Sequence, residues 1–218
     1  MKLRSITKAL AAAFLLAGAA HAAPIKVIFD DIGPVSGPVP ITSTGFLFTG
    51  AGASSGALIV AADGAACGPP CASNGTQAML VAGENVFFAS SVAMTRSGGG
   101  TFVLSALDGG EMFSGAFPQW AAAEIDYVGY LGASTVMSGS LVLDGIIDGP
   151  GGANDFQTFS ISGSLIDRIV FSGSGGTNGN NGFSLDNLVV GDAVVPEPSS
   201  MVLVGLALLG LRVARRRV

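Results

Sequence analysis

The 218-residue sequence holds one histidine, His21, and it lies close to the N-terminus. If a leader ending at Ala22 is removed, no imidazole is left in the chain. That excludes Ser-His-Asp and Cys-His catalysis and nearly all zinc sites. Carboxylates are plentiful, but nothing in the spacing of Glu84, Glu111 and Glu124 pairs them. No catalytic residue is assigned, and these acids read as solvated surface groups. A secreted carbohydrate-active hydrolase working through paired carboxylates is the alternative that such acid-rich composition keeps open.

Asp30, Asp31, Asp186 and Asn187 are hard oxygen ligands near the first and last apolar segments of the middle region. If those segments adjoin, the four side chains can gather around a structural Ca²⁺. The competing reading is hydrogen bonding at turns and strand ends. Trp120, in Phe117-Pro118-Gln119-Trp120, either packs into a core or stacks on a sugar face from a loop. Cys67 and Cys71 flank Gly68-Pro69-Pro70. In an oxidising compartment they form a disulfide closing a small loop, worth about 2 kcal/mol. A redox pair or a metal site is the other option, although redox motifs usually place two residues between the cysteines.

The compartment follows from the two ends. Lys2, Arg4 and Lys8 form a positive region, Ala9 to Ala17 an apolar one, and Ala20-His21-Ala22 a small-x-small cleavage site. Residues 1–22 therefore read as a secretory signal peptide, cut by signal peptidase so that Ala23 becomes the N-terminus. At the other end, Pro196-Glu197-Pro198 precedes an apolar stretch from Ser199 to Ala214, interrupted by Arg212 and followed by Arg215, Arg216 and Arg217. As a helix, residues 199–214 span about 24 Å against a hydrocarbon core of about 30 Å. They cross by thinning the bilayer or by letting Arg212 snorkel, with the Arg cluster cytoplasmic.

These three ordered parts, over residues 195–218, resemble the PEP-CTERM sorting signal. The resemblance implies an exosortase as partner, cleavage near Pro196-Glu197-Pro198, and a membrane-anchored intermediate before processing. It also implies transfer to the cell surface or extracellular matrix of a Gram-negative-type bacterium, in a setting of exopolysaccharide production.

Between the ends lies one domain, residues 23–194. It keeps Lys26, Arg96 and Arg168 as its cations against 14 acids, a net charge of 3 − 14 = −11. Such a surface repels phosphate backbones, so nucleic acid is not a partner.

The elements that must position these side chains read as short strands. Apolar runs of strand length fall near 26–30, 45–49, 57–62, 77–82, 86–96, 101–107, 124–131, 136–143, 156–162, 165–172 and 183–190. Ile125, Tyr127, Gly129 and Leu131 alternate with Glu124 and Asp126; Phe183, Leu185 and Val189 oppose Leu188 and Val190. Glycine-rich turns separate the runs, and Asn181-Gly182 predicts a two-residue hairpin turn. Residues 120–124 are the one helix candidate. The pattern predicts an all-β fold, a β-sandwich or jelly roll.

Phe29-Asp30-Asp31 and the segment Phe183 to Val190 are also similar to ectodomains that accompany this tail. Those domains look like carbohydrate-binding jelly rolls. The combined expectation is an exported structural or adhesive protein, not an enzyme, in contact with extracellular polysaccharide. An ice-binding or otherwise adhesive β protein is a further alternative.

Overall fold

The computed structural model describes residues 23–37, 40–52, 58–61, 74–82, 89–112, 120–146, 156–177, 179 and 181–192. The chain from Ala23 to Asp192 forms one compact unit of two antiparallel sheets. The first contains β1 (Ile25–Val27), β2 (Val35–Gly37), β5 (Leu58–Ala61), β6 (Ala78–Val81), β8 (Phe102–Glu111), β11 (Phe156–Ser160), β12 (Leu165–Ile166) and β14 (Phe183–Asp192). The second contains β3 (Ile41–Ser43), β4 (Phe46–Ala51), β7 (Ser91–Arg96), β9 (Glu124–Leu131), β10 (Ser134–Val142) and β13 (Arg168–Ser174). Its spatial order is β10-β9-β13-β7-β4-β3.

One apolar cluster lies between the sheets, because alternate residues of strands on both sides are apolar. Phe102 of the first sheet and Phe46 of the second meet edge to face at 5.3 Å. Phe29 packs the same way on Phe48 at 5.2 Å. Ile125, Ile169, Phe171 and Met94 are fully buried in the same cluster. Tyr127 leans over Gly139, its cross-strand partner, where a Cβ would overlap the ring.

The first and last strands adjoin: Ile25 pairs with Val190 and Val27 with Leu188. The alternation expected in the last strand is corrected by a bulge. Asp186 pairs with Asp108 and Val189 with Ala106, so Asn187 and Leu188 face Leu107 alone. Asn187 takes φ +52°, a left-handed conformation that asparagine tolerates. The extra residue reverses the alternation, and Phe183, Leu185, Leu188 and Val190 all reach the core.

Three other expectations are corrected. Ile28 to Asp30 does not continue β1; Phe29–Asp31 is a 3-10 turn. Residues 120–124 are not an α-helix: Trp120 is 3-10, Ala121 bridges to Gly182 and β9 begins at Glu124. Asn181-Gly182 is no tight hairpin, because neither residue has positive φ and the Gly182 N–H donates to the Trp120 carbonyl at 2.8 Å. A tight two-residue turn is found instead at Thr44-Gly45, both at positive φ (48° and 78°), joining β3 to β4. A threonine there is strained, and Asp31 offsets the strain by accepting the Thr44 N–H at 2.6 Å.

Among the described residues no helix is long and apolar enough to cross a membrane. The signal peptide with Ala20 and Ala22, the Cys67/Cys71 pair, and the sorting segment with its apolar residues 199–214 lie outside the described residues.

Candidate functional site

Two polar constellations stand out. The first surrounds the bulge of β14. Asp186 is 1% exposed, and a carboxylate buried to that degree costs several kcal/mol unless its lone pairs are filled. They are filled. Oδ2 accepts from Asn74 Nδ2 at 2.6 Å and Thr76 Oγ1 at 3.0 Å, and Oδ1 from the Asn187 N–H at 2.7 Å. Burial pushes the Asp186 carboxyl above the usual range; those hydrogen bonds pull it back, and the nearby Asp30 charge adds to the rise.

The sequence groups Asp30, Asp31, Asp186 and Asn187 as cation ligands, and in the structure each has its own hydrogen-bond partners. Asp30 accepts from the Gln77 N–H at 2.8 Å. Asp31 turns to Ser43 Oγ at 2.7 Å and to Thr44. Asn187 donates through Nδ2 to Asp108 Oδ2 at 2.7 Å. Among the described residues no three acidic, cysteine or histidine side chains gather at one point suited to a metal ion. The first and last strands adjoin as the cation reading needs, and the four side chains are engaged by uncharged donors or by Asp108. For Asp31, burial works upward and the hydrogen bonds from Ser43 and Thr44 outweigh it, so its carboxyl is held below the usual range.

The second constellation is a cleft of about 440 Å³ at one end of the sandwich. Its walls are Thr95 and Arg96 from the end of β7, Gly99 and Gly100 from the following loop, Gly132 from the β9–β10 turn, and Asp167 and Arg168 at the start of β13. Three turns meet there because β9, β13 and β7 are neighbours, with Arg168 in register between Tyr130 and Thr95. The Arg168 guanidinium lies over the Tyr130 ring, 4.3 Å from Cζ to centroid. The Arg96 guanidinium lies 5.3 Å from the Phe46 centroid, at the edge of the core. Asp167 Oδ2 accepts the Gly132 N–H at 2.6 Å, tying the two turns together. Gly99, Gly100 and Gly132 have positive φ and no side chain, so this wall is bare backbone.

Sequence reading did not single out this cleft as a site. The signal was in the charge count: two of the three cations of residues 23–194 line it. Trp120 is half-buried beside the Ala121–Gly182 bridge and is not part of the cleft. The described glutamates have separate partners. Glu111 is buried and accepts the Gly145 N–H at 3.0 Å, Glu124 accepts the Ser140 hydroxyl, and Glu84 lies outside the described residues.

Residues 194–217 match the family described as the PEP-CTERM protein-sorting motif. The chain carries a PEP-CTERM sorting signal. The match takes in Pro196-Glu197-Pro198 and Arg212 to Arg217, and marks a secreted, exosortase-sorted protein with a membrane-anchored C-terminal intermediate. No curated protein matches the sequence. Among solved structures, the PEP-CTERM chain is similar to three carbohydrate-binding modules of family 32. One is from Clostridium perfringens, in complex with GalNAc-β-1,3-galactose; it is 14% identical, with a TM-score of 0.32 over 47% of this chain and 65% of that one. The second is the module of NanJ from the same organism, in complex with galactose: 14% identity, TM-score 0.29, 46% of this chain and 65% of that one. The third is the module of AlyQ, in complex with 4,5-unsaturated mannuronic acid: 16% identity, TM-score 0.30, 52% of this chain and 75% of that one. The chain thus spans just under two thirds of the length of the first two.

Proposed function

We propose that this PEP-CTERM protein is a non-enzymatic component of the cell surface or extracellular matrix, and that its β-sandwich contacts polysaccharide there. The observation that carries this reading is the sorting signal at residues 194–217, directly behind a self-contained sandwich. Signal peptidase and an exosortase are the processing partners that the two ends call for. The missing imidazole, and the engagement of Glu111 by Gly145 and of Glu124 by Ser140, support a binding rather than a hydrolytic role. The end cleft supports contact with a small polar ligand, its volume being that of a small-molecule site.

The test is sorting in an exosortase-containing host. Wild-type protein is expected in the surface or extracellular fraction, beginning at Ala23 and lacking the Arg-rich end by mass spectrometry. A variant with Pro196, Glu197 and Pro198 all changed to Ala is expected to stay in the membrane fraction with its tail intact. Identical fractions and C-termini for both proteins would overturn the sorting role.

A further inference from the structure

We infer that the cleft between the β7–β8, β9–β10 and β12–β13 connections binds a carboxylated sugar, a uronic acid within a polysaccharide. This rests on the surface-contact reading above and names the ligand class for it.

The argument begins with charge. Residues 23–194 carry a net −11, a field that disfavours anionic ligands almost everywhere on the domain. Arg96 and Arg168 are two of its three cations, and both line this one cleft. They come from adjacent strands, with Arg168 in register with Thr95. Arg168 is exposed and held from below by the face of Tyr130. The ring contact restrains the guanidinium, whose N–H groups form a planar fork directed from its edges. That geometry suits two-point hydrogen bonding to a carboxylate.

Asp167 then selects among anions. A cleft for phosphate or another simple anion has no use for a carboxylate in its wall. Asp167 is there, fixed through one oxygen by the Gly132 N–H. A carboxylate has about four acceptor sites, so the remaining ones suit hydroxyl donors. A ligand that offers a carboxylate to arginine and hydroxyls to aspartate is a sugar acid. The bare glycine wall lets a flat, hydroxyl-rich ring approach the backbone closely.

The experiment titrates the full-length protein, in mild detergent, with tetramers of galacturonate, mannuronate and glucuronate. A neutral galactose tetramer and inorganic phosphate are the parallel arms. At least one uronate is expected to bind, at least tenfold more tightly than the neutral tetramer and than phosphate, with affinity falling as salt rises. Arg168→Gln is expected to weaken that binding at least tenfold without changing the melting temperature, and Asp167→Asn to weaken it less. Arg168→Lys, which keeps the charge but not the planar fork, is expected to recover only part of it. If no uronate binds, or if Arg168→Gln binds as wild type does, the inference is wrong. Equal binding of the neutral tetramer, insensitive to Arg168, would overturn the uronate assignment while leaving polysaccharide contact in place. Tighter binding of phosphate than of any uronate would make the cleft a simple anion site and also overturn it.

Discussion

Asn74 and Asp186 lie 112 positions apart in the chain and share a 2.6 Å hydrogen bond. That bond ties the approach to β6 to the bulge of the last strand. Asp186 is so placed that three donors converge on it, and the Asn74 amide and the Asn187 N–H lose this acceptor if the carboxylate goes, while Thr76 Oγ1 keeps Asn74 Oδ1 at 2.6 Å. Asp186→Ala is expected to cost about 1–3 kcal/mol, because it removes a buried acceptor from two half-buried donors and leaves its space unfilled. Urea unfolding of the full-length protein measures this, as a lower midpoint at unchanged slope. A variant within about 0.5 kcal/mol of wild type, the scatter of ordinary surface changes, would remove the network from the stability of the fold.

The two shifted carboxyls predict opposite pH dependences. Asp186 has its folded value raised, chiefly by burial. Its contribution is therefore greatest below the unfolded carboxylate value and is lost as pH rises through the folded one. Asp31 has its folded value lowered; burial opposes this, and the Ser43 and Thr44 hydrogen bonds prevail. Its contribution is present above the unfolded value and is lost as pH falls through the folded one. Relative to Asp186→Asn, wild type should lose stability as pH rises through the upper carboxylate range. Relative to Asp31→Asn, it should gain stability as pH rises through the lower part of that range. Melting temperatures of the three proteins between acid and neutral pH check both signs, and two differences of the same sign would refute the assignment.

Asn187 bridges two carboxylates that stand opposite each other across the β8–β14 ladder. Its N–H serves Asp186 and its side-chain amide serves Asp108, while φ +52° sets the bulge. Asn187→Ala is expected to cost about 1–3 kcal/mol, through the lost amide and the strain of a left-handed alanine. Asn187→Gly keeps the backbone freedom and should recover about 1 kcal/mol of that loss. Thermal unfolding of both variants distinguishes the two contributions. Equal losses would mean that the conformation carries no strain.

The sequence by itself determined the all-β class, the sorting signal and most strand positions. Glu124–Leu131 coincides with its expected span, and Ile125, Tyr127 and Gly129 face the core as their alternation predicts. Those properties are local: period-two alternation, glycine at turns, and an ordered apolar and basic tail are written along the chain. Tertiary structure decided the rest. Val35–Gly37 and Ile41–Ser43 are strands too short to announce themselves, formed because neighbouring strands offer a ladder. The bulge at Asn187 reversed the faces of the last strand, since one inserted residue flips every side chain beyond it. Asp30, Asp31, Asp186 and Asn187 took partners at Gln77, Thr44, Asn74 and Asp108, none adjacent to them in sequence. Arg96, Tyr130, Asp167 and Arg168 became one cleft only because β7, β13 and β9 lie side by side. Strand order is set by burial summed over the whole core, and no local pattern in the chain encodes it.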